Sequence, residues 1–301
     1  MARKANAEPS GGGGGGWAAM NAKMAESRNK KMAGGLTMGE IENYDGADRT
    51  IAGTSIFDPV LCELAYRWFS PPGGAVLDPF AGGSVRGVVA SILGRSYTGV
   101  DLSEDQIKAN EAQIDLCNVE CEPTWLQGDS TELDAVLDKG QKFDFIFSCP
   151  PYADLEVYSE DPRDISTFEY ADFRAAMASV VKQACERLNE DRFACFVIGD
   201  ARDKKGLLYG LPAHTVQMFE DAGLRLYNDA ILATAIASLP IRCRKQFTAS
   251  RKLGRCHQYV YVFVKGDPVK ATKAIGEVQF GEGEDIGGDD LGAPEALGGE
   301  L

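Results

Sequence analysis

The chain of 301 residues has no stretch approaching the roughly 18 consecutive apolar residues that a membrane-spanning helix requires. It also lacks an apolar run ahead of a small-residue cleavage site near its N-terminus. Histidine is scarce: only His214 and His257 are present to complete a metal site, and none of the eight cysteines falls in a CxxC pair. A structural zinc centre is therefore not expected, and no metal is assigned. Without a secretion signal, cysteines so scattered read as reduced, mostly buried small hydrophobes rather than as a disulfide framework. Together these absences predict a soluble, cytoplasmic protein.

Positive charge is also in short supply, with 31 Lys and Arg against 45 Asp and Glu, for a net charge of -14. That balance argues against a polyanionic partner until its distribution is considered. From Gly266 to Leu301 nine acids face only Lys270 and Lys273, so a net -7 sits in one terminal segment. The opposite bias occupies Leu239 to His257, where Arg242, Arg244, Lys245, Arg251, Lys252 and Arg255 occur with no acid. Six cations in 19 residues of an acidic protein have the character of a phosphate-contacting loop; the competing interpretation is a solvated loop.

Composition divides the chain. Residues 1–16 end in six consecutive glycines and are expected to be disordered. Residues 17–54 form an extension in which Trp17 to Met32 has the composition of a short basic helix. Residues 266–301, rich in Gly and acids, are expected to be a second disordered segment. Between them, residues 55–265 alternate short β-branched runs with helical stretches, the pattern of a doubly wound α/β sheet. Seven strands are expected, at Ala75 to Leu77, Ser96 to Val100, Pro123 to Leu126, Phe143 to Phe147, Phe193 to Ile198, Leu226 to Ala233 and Gln258 to Val264. Helices are expected over Val85 to Leu93, Glu104 to Cys117, Glu132 to Leu137 and Glu169 to Leu188, the second started by a Ser103/Gln106 capping box. No helical pattern separates the last two strands, so a parallel crossover is disfavoured and an antiparallel pair is predicted.

Three strand ends carry chemistry. The first runs into Asp78-Pro79-Phe80-Ala81-Gly82-Gly83-Ser84 before a helix, and the second ends in Asp101, 23 residues after Asp78. Glycines at such a turn let a ligand approach the backbone, and an acid at that distance suits ribose hydroxyls. An acid at the front of the loop is a poor companion for pyrophosphate, so a cationic nucleotide-like cofactor fits better. The third strand leads to Asp129, either an acceptor for an adenine amino group or simply a helix cap. The fourth ends in Ser148-Cys149-Pro150-Pro151-Tyr152, where two prolines remove backbone donors, stiffen the chain and leave an aromatic ring at a rigid turn. In a doubly wound sheet the first and fourth strands flank the topological switch point, which predicts that Asp78 and Tyr152 line one pocket.

In the stretches FDP, DPFAGG, GVDL, GD and SCPPY, taken in that order, residues 55–265 resemble the S-adenosylmethionine-dependent DNA methyltransferases that act on exocyclic amino groups of adenine or cytosine, including phage and prophage members. The resemblance implies a Rossmann-like class I methyltransferase fold, S-adenosylmethionine as cofactor, and DNA as partner, with RNA left open. It further implies a cytoplasmic protein of a bacterial or phage-infected cell, as in restriction-modification. It places Phe57 and Asp58 near the cofactor, and Asp78, Phe80, Gly82 and Gly83 in the loop around its methionine portion. Asp101, with Leu102, would sit at the ribose and Asp129 at the adenine. Tyr152 would stack on a target base flipped from the duplex, while the Pro150 carbonyl accepts from its amino group within the Cys149-Pro150-Pro151-Tyr152 motif.

Two departures from the family pattern stand out. Gly83 and Ser84 occupy the end of the loop in swapped order, and Cys149 stands where the family has Asp, Asn or Ser, a thiol being a weak acceptor. Cys149 also opens a second chemistry, in which the thiolate adds to a pyrimidine ring for C5 methylation. A third reading, from a different class, is a non-catalytic module that binds cofactor and DNA.

Overall fold

The computed structural model describes residues 57–278 apart from 115, 116, 118, 154–156, 235, 237 and 238. The glycine run, the extension over 17–54 and the acidic segment from 279 onward lie outside the described residues.

The described chain folds around a seven-stranded sheet in the order β3-β2-β1-β4-β5-β7-β6. The strands are β1 (Ala75–Asp78), β2 (Ser96–Asp101), β3 (Thr124–Gln127), β4 (Phe143–Ser148), β5 (Leu188–Ile198), β6 (Arg225–Ala233) and β7 (His257–Lys265). The first five pair in parallel, and β7 lies between β5 and β6, antiparallel to both. The expected doubly wound sheet and antiparallel final pair are thus present. The helices are α1 (Pro59–Phe69), α2 (Val85–Ile92), α3 (Glu104–Ile114), α4 (Leu133–Val136), α5 (Tyr170–Arg187), α6 (Leu211–Asp221), α7 (Leu239–Ser250) and α8 (Pro268–Ile275).

Local chemistry accounts for these elements. In α1, Asp58 accepts from the Val60 and Leu61 amides, Pro59 occupies the first turn, and Cys62, Ala65 and Tyr66 bury one stripe. Ser103 Oγ accepts from Gln106 N at the start of α3, while the Gln106 side chain donates to Asn110, so half of the expected capping box forms. The core is rich in aromatics. On one side α5 packs Phe173, Met177, Val180, Val181 and Ala184 into the same buried cluster as Ile146, Ala194, Phe196 and Ile198 of β4 and β5. Tyr66 of α1 meets Phe145 and Phe147 edge-on, at ring separations of 6.1 and 5.4 Å. Each fully buried side chain of this size stabilises the fold by about 1.5–3 kcal/mol.

Two expectations are corrected. The segment between β6 and β7 contains helix α7, where the sequence pattern predicts none; α7 buries no residue, so it has no apolar stripe for a periodicity argument to detect. The acidic segment does not begin as disordered chain at Gly266. Asp267 caps α8 by accepting from Val269 N and Lys270 N, and Ala271 and Ile275 are buried.

Candidate active site

The candidate site lies at the C-terminal ends of β1, β2 and β4, where β1 has β2 on one side and β4 on the other and the chain order reverses. Asp78, the last residue of β1, is fully buried, and its carboxylate accepts four hydrogen bonds. Oδ1 takes Phe80 N at 3.1 Å and Ser148 Oγ at 2.6 Å; Oδ2 takes Arg86 Nε at 2.6 Å and Tyr97 Oη at 2.8 Å. Asp78 therefore braces the loop from beneath rather than facing the crevice. Through Ser148 it also ties the β1 loop directly to the turn that follows β4.

Arg86, in the first turn of α2, completes the brace. Its Nη2 donates to the carbonyls of Phe80 and Ala81 at 2.6 and 2.9 Å, and its guanidinium carbon lies 4.7 Å from the Phe57 ring centre. Burial works against the Arg86 charge, but the adjacent Asp78 carboxylate outweighs it and holds the guanidinium protonated beyond its ordinary range. Phe57 thus sits against the loop, whereas the Asp58 carboxylate is exposed and committed to capping α1.

The loop turns at Gly82, where φ is +50°, a conformation that favours glycine. A Cβ added at Gly82 or Gly83 would meet nothing within 4 Å, so the backbone there borders open space. Gly82 N donates to Asp101 Oδ2 at 2.8 Å, Ser103 N donates to Asp101 Oδ1 at 2.8 Å, and Asn110 Nδ2 donates to Gly82 O at 2.7 Å. Burial raises the Asp101 pKa above its ordinary value, opposed by the two backbone donors. Leu102 beside it is half-buried. After β3, Gly128 N donates to Asp101 O at 2.9 Å, and Ser130 Oγ donates to Pro79 O, drawing the third loop onto the first. Asp129 accepts from Thr131 N and Thr131 Oγ1 through Oδ1, so it does cap a short turn, while remaining half-exposed at the same edge.

At the end of β4, Pro150 is buried and Cys149, Pro151 and Tyr152 are half-buried. Tyr152 packs into the wall instead of projecting freely. A Cβ at Gly199, just past β5, would come within 2.9 Å of its ring. Gln258 Nε2 of β7 donates to Tyr152 Oη at 2.9 Å, and Cys149 Sγ lies 3.3 Å from that same oxygen. Burial, with Cys149 as the next contributor, pushes the Tyr152 pKa well above its ordinary range, which keeps the phenol neutral. Ala153 follows in the left-handed region at φ +55°, a strained conformation for a residue with a Cβ.

The basic residues divide. Arg242, Arg244, Lys245 and Arg251 are exposed; Lys252 and Arg255 are half-buried. The segment is helix α7 plus a following stretch, not a loop throughout. Lys252 packs over Gly206, and Arg255 Nη1 lies 4.0 Å from Asp200 Oδ2, so this segment borders the β5 end of the site. Elsewhere around the β1, β4 and β5 ends stand residues to which the sequence assigns no role: Arg86, Ser148, Tyr97, Asn110, Ser130, Asp200 and Gln258. Of these only Arg86 leaves a signal, as a charge inside the apolar run Val85-Arg86-Gly87-Val88-Val89. Among the described residues no group of three His, Cys, Asp or Glu side chains is arranged to hold a metal ion, and no helix is long and apolar enough to cross a membrane.

No protein-family model matches the chain, and no curated protein matches it. Several solved structures are similar. TrmN from Thermus thermophilus is 17% identical, with 71% of this chain and 51% of that chain covered and a TM-score of 0.48. The chain thus spans about half the length of that protein. A methyltransferase from Pyrococcus furiosus is 15% identical, covering 82% and 99% of the two chains, with a TM-score of 0.45. A TehB-like SAM-dependent methyltransferase from Corynebacterium glutamicum is 18% identical over 82% and 99%, with a TM-score of 0.41.

Proposed function

We propose that this protein binds S-adenosylmethionine and transfers its methyl group to an exocyclic amino group, adenine N6 or cytosine N4, in DNA. The observation that carries this reading is the 2.6 Å hydrogen bond from Ser148 Oγ to Asp78 Oδ1, which ties the loop leading to Gly82 to the turn that begins at Cys149. A cofactor cradle and a substrate clamp that must align two reacting atoms are best built on one such frame.

The residues fit the cofactor. Open space over Gly82 and Gly83 admits a ligand against the backbone, and each Asp101 oxygen, having accepted one amide, keeps acceptor capacity for a ribose hydroxyl. Phe80 and the loop backbone border the methionine portion, and Asp129 and Leu102 border the adenine. Bound S-adenosylmethionine supplies an electrophilic methyl group on a sulfonium. The chain's own part is positioning. The Pro150 carbonyl accepts one amino hydrogen of the target base, Cys149 Sγ lies beside it as a weak acceptor, and Tyr152 walls the pocket. Alignment of this kind is worth effective molarities on the order of 10⁵–10⁸ M, without any strong base.

The nucleic-acid partner rests on Arg242, Arg244, Lys245, Arg251, Lys252 and Arg255, which form a local cationic surface on a protein of net charge -14. The test is incubation of the full chain with methyl-labelled S-adenosylmethionine and unmodified genomic DNA, followed by nucleoside mass spectrometry. Label in N6-methyladenine or N4-methylcytosine is expected. Label in C5-methylcytosine would transfer the role to a Cys149 nucleophile, and an unlabelled product would reduce the protein to a binding module.

A further inference from the structure

The chain between β5 and α6 forms a tight hairpin that carries two adjacent exposed leucines at its tip. Tyr209 N donates to Ala201 O at 3.0 Å, Asp203 N to Leu207 O at 2.8 Å, and Gly206 N to Asp203 O at 2.8 Å. Asp203 Oδ1 accepts from Leu207 N at 2.7 Å, and Arg202 Nη1 donates to Gly206 O at 2.9 Å. Gly206 turns the tip at φ +88°. A backbone so thoroughly bonded fixes the directions in which its side chains leave the chain. Yet Leu207 is 65% exposed and Leu208 44% exposed, side by side. On a turn with so defined a backbone, the pair offers an apolar contact at low ordering cost.

Its surroundings identify the contact. Arg202, Lys204 and Lys205 of the same hairpin are exposed, and Lys252 packs over Gly206 from the basic segment. The hairpin's acid, Asp203, is engaged with Leu207 N. An apolar tip on a hairpin rich in cations does not suit an apolar protein surface, which would leave the charges unpaired. It suits DNA, where phosphates lie on either side of an apolar base stack. Position supports the same occupant, since the hairpin begins directly after Gly199, which touches the Tyr152 ring, and Asp200.

We propose that Leu207 and Leu208 enter the base stack of duplex DNA beside the target base and fill the space it vacates on entering the site. This rests on the function proposed above and goes beyond it: the substrate is a duplex, opened by a wedge that the hairpin carries. Filling that space offsets part of the unstacking cost, which a single-stranded substrate never incurs.

The test uses the full chain with Leu207→Ser and Leu208→Ser together, both at exposed positions. The probes are unmodified genomic DNA as duplex and the same DNA heat-denatured. Methyl transfer to the duplex should fall about tenfold or more. Transfer to denatured DNA and affinity for S-adenosylmethionine should stay unchanged. Equal loss on both forms, or no loss on either, overturns the wedge. So does a wild-type protein that methylates only denatured DNA, although the methyltransferase function then stands. A wild-type protein that methylates neither removes that function, and the wedge with it.

Discussion

Arg86 Nε lies 2.6 Å from Asp78 Oδ2 with both side chains buried, and the same guanidinium holds the Phe80 and Ala81 carbonyls of the loop that follows β1. A buried ion pair is expensive to form but costlier to break, because the surviving charge is left without water or partner. Asp78→Asn should therefore destabilise the protein by about 3–5 kcal/mol, the range for removing one member of such a pair. Urea unfolding followed by circular dichroism measures this. A loss under roughly 1 kcal/mol, closer to that of an ordinary surface change, would show that the brace does not hold the loop.

Asp101 should govern cofactor affinity. Its carboxylate accepts from Gly82 and Ser103, and replacing it with Ala should weaken S-adenosylmethionine binding by about 1.5–3 kcal/mol, the range for hydrogen bonds to a charged group. The pH dependence follows from the direction of its pKa. Burial raises it above the ordinary 3.8, so folding favours the protonated acid, and a stability penalty enters as pH rises through the folded pKa. Cofactor binding, which needs the ionised form, should run the other way and be lost as pH falls through that raised value. Titration calorimetry across acidic pH should place the loss above 3.8, and Asp101→Asn should remove the dependence.

Much of this architecture is readable from residue patterns, for reasons that differ by element. Runs such as Phe145 to Phe147 and Phe193 to Ile198 are apolar and become central strands, where both faces are covered. Helix α1 is absent from the predicted elements although Asp58-Pro59 is a strong start signal, and the Asp267-Pro268 start of α8 is hidden within a segment of disordered composition. Helix α7 is not recoverable, since it carries no amphipathic pattern and buries nothing. Within the site the acids at strand ends are visible, but Asp78 and Tyr152 turn out to be braced rather than free. Their partners, Arg86, Ser148 and Gln258, are brought in by tertiary structure from 8, 70 and 106 residues away.

Helix α7 should supply nucleic-acid affinity without touching the cofactor. Arg244 and Lys245 are exposed, and replacing both with Ala should flatten the slope of log affinity against log salt for duplex DNA by about two, since each phosphate neutralised by a cation adds roughly 0.9 to that slope. Fluorescence anisotropy at several salt concentrations would show it. An unchanged slope would make α7 a solvated helix.

Helix α8 makes the point of truncation matter. A chain stopped after Lys265 loses the burial of Ala271 and Ile275 and the bond from Asp267 N to Asp191 Oδ1. It should be less stable by at least about 2 kcal/mol, the lower end for deleting a large buried aliphatic side chain. A chain stopped after Val278 keeps these interactions and should unfold at the denaturant concentration of the full chain. Equal stability of the two would mean that α8 contributes nothing.

Cys149 decides between two chemistries. Its sulfur lies 3.3 Å from the Tyr152 hydroxyl, which already accepts from Gln258 and therefore has its own proton to donate toward Val197 O or the thiol. An amino-group methyltransferase needs an acceptor at this position, and a hydroxyl oxygen accepts better than sulfur. Cys149→Ser should then retain at least the wild-type rate. A C5 mechanism needs a thiolate, so the same substitution would abolish turnover while leaving cofactor affinity intact. Of the two histidines in the sequence, His214 is committed to Tyr170 Oη at 2.7 Å. Single-turnover transfer of labelled methyl to DNA by Cys149→Ser, compared with Cys149→Ala, gives the answer. Activity in Ser exceeding that in Ala identifies the position as an acceptor, whereas a folded, cofactor-binding but inactive Ser variant, with a covalent wild-type adduct on fluorinated cytosine DNA, would establish the nucleophile.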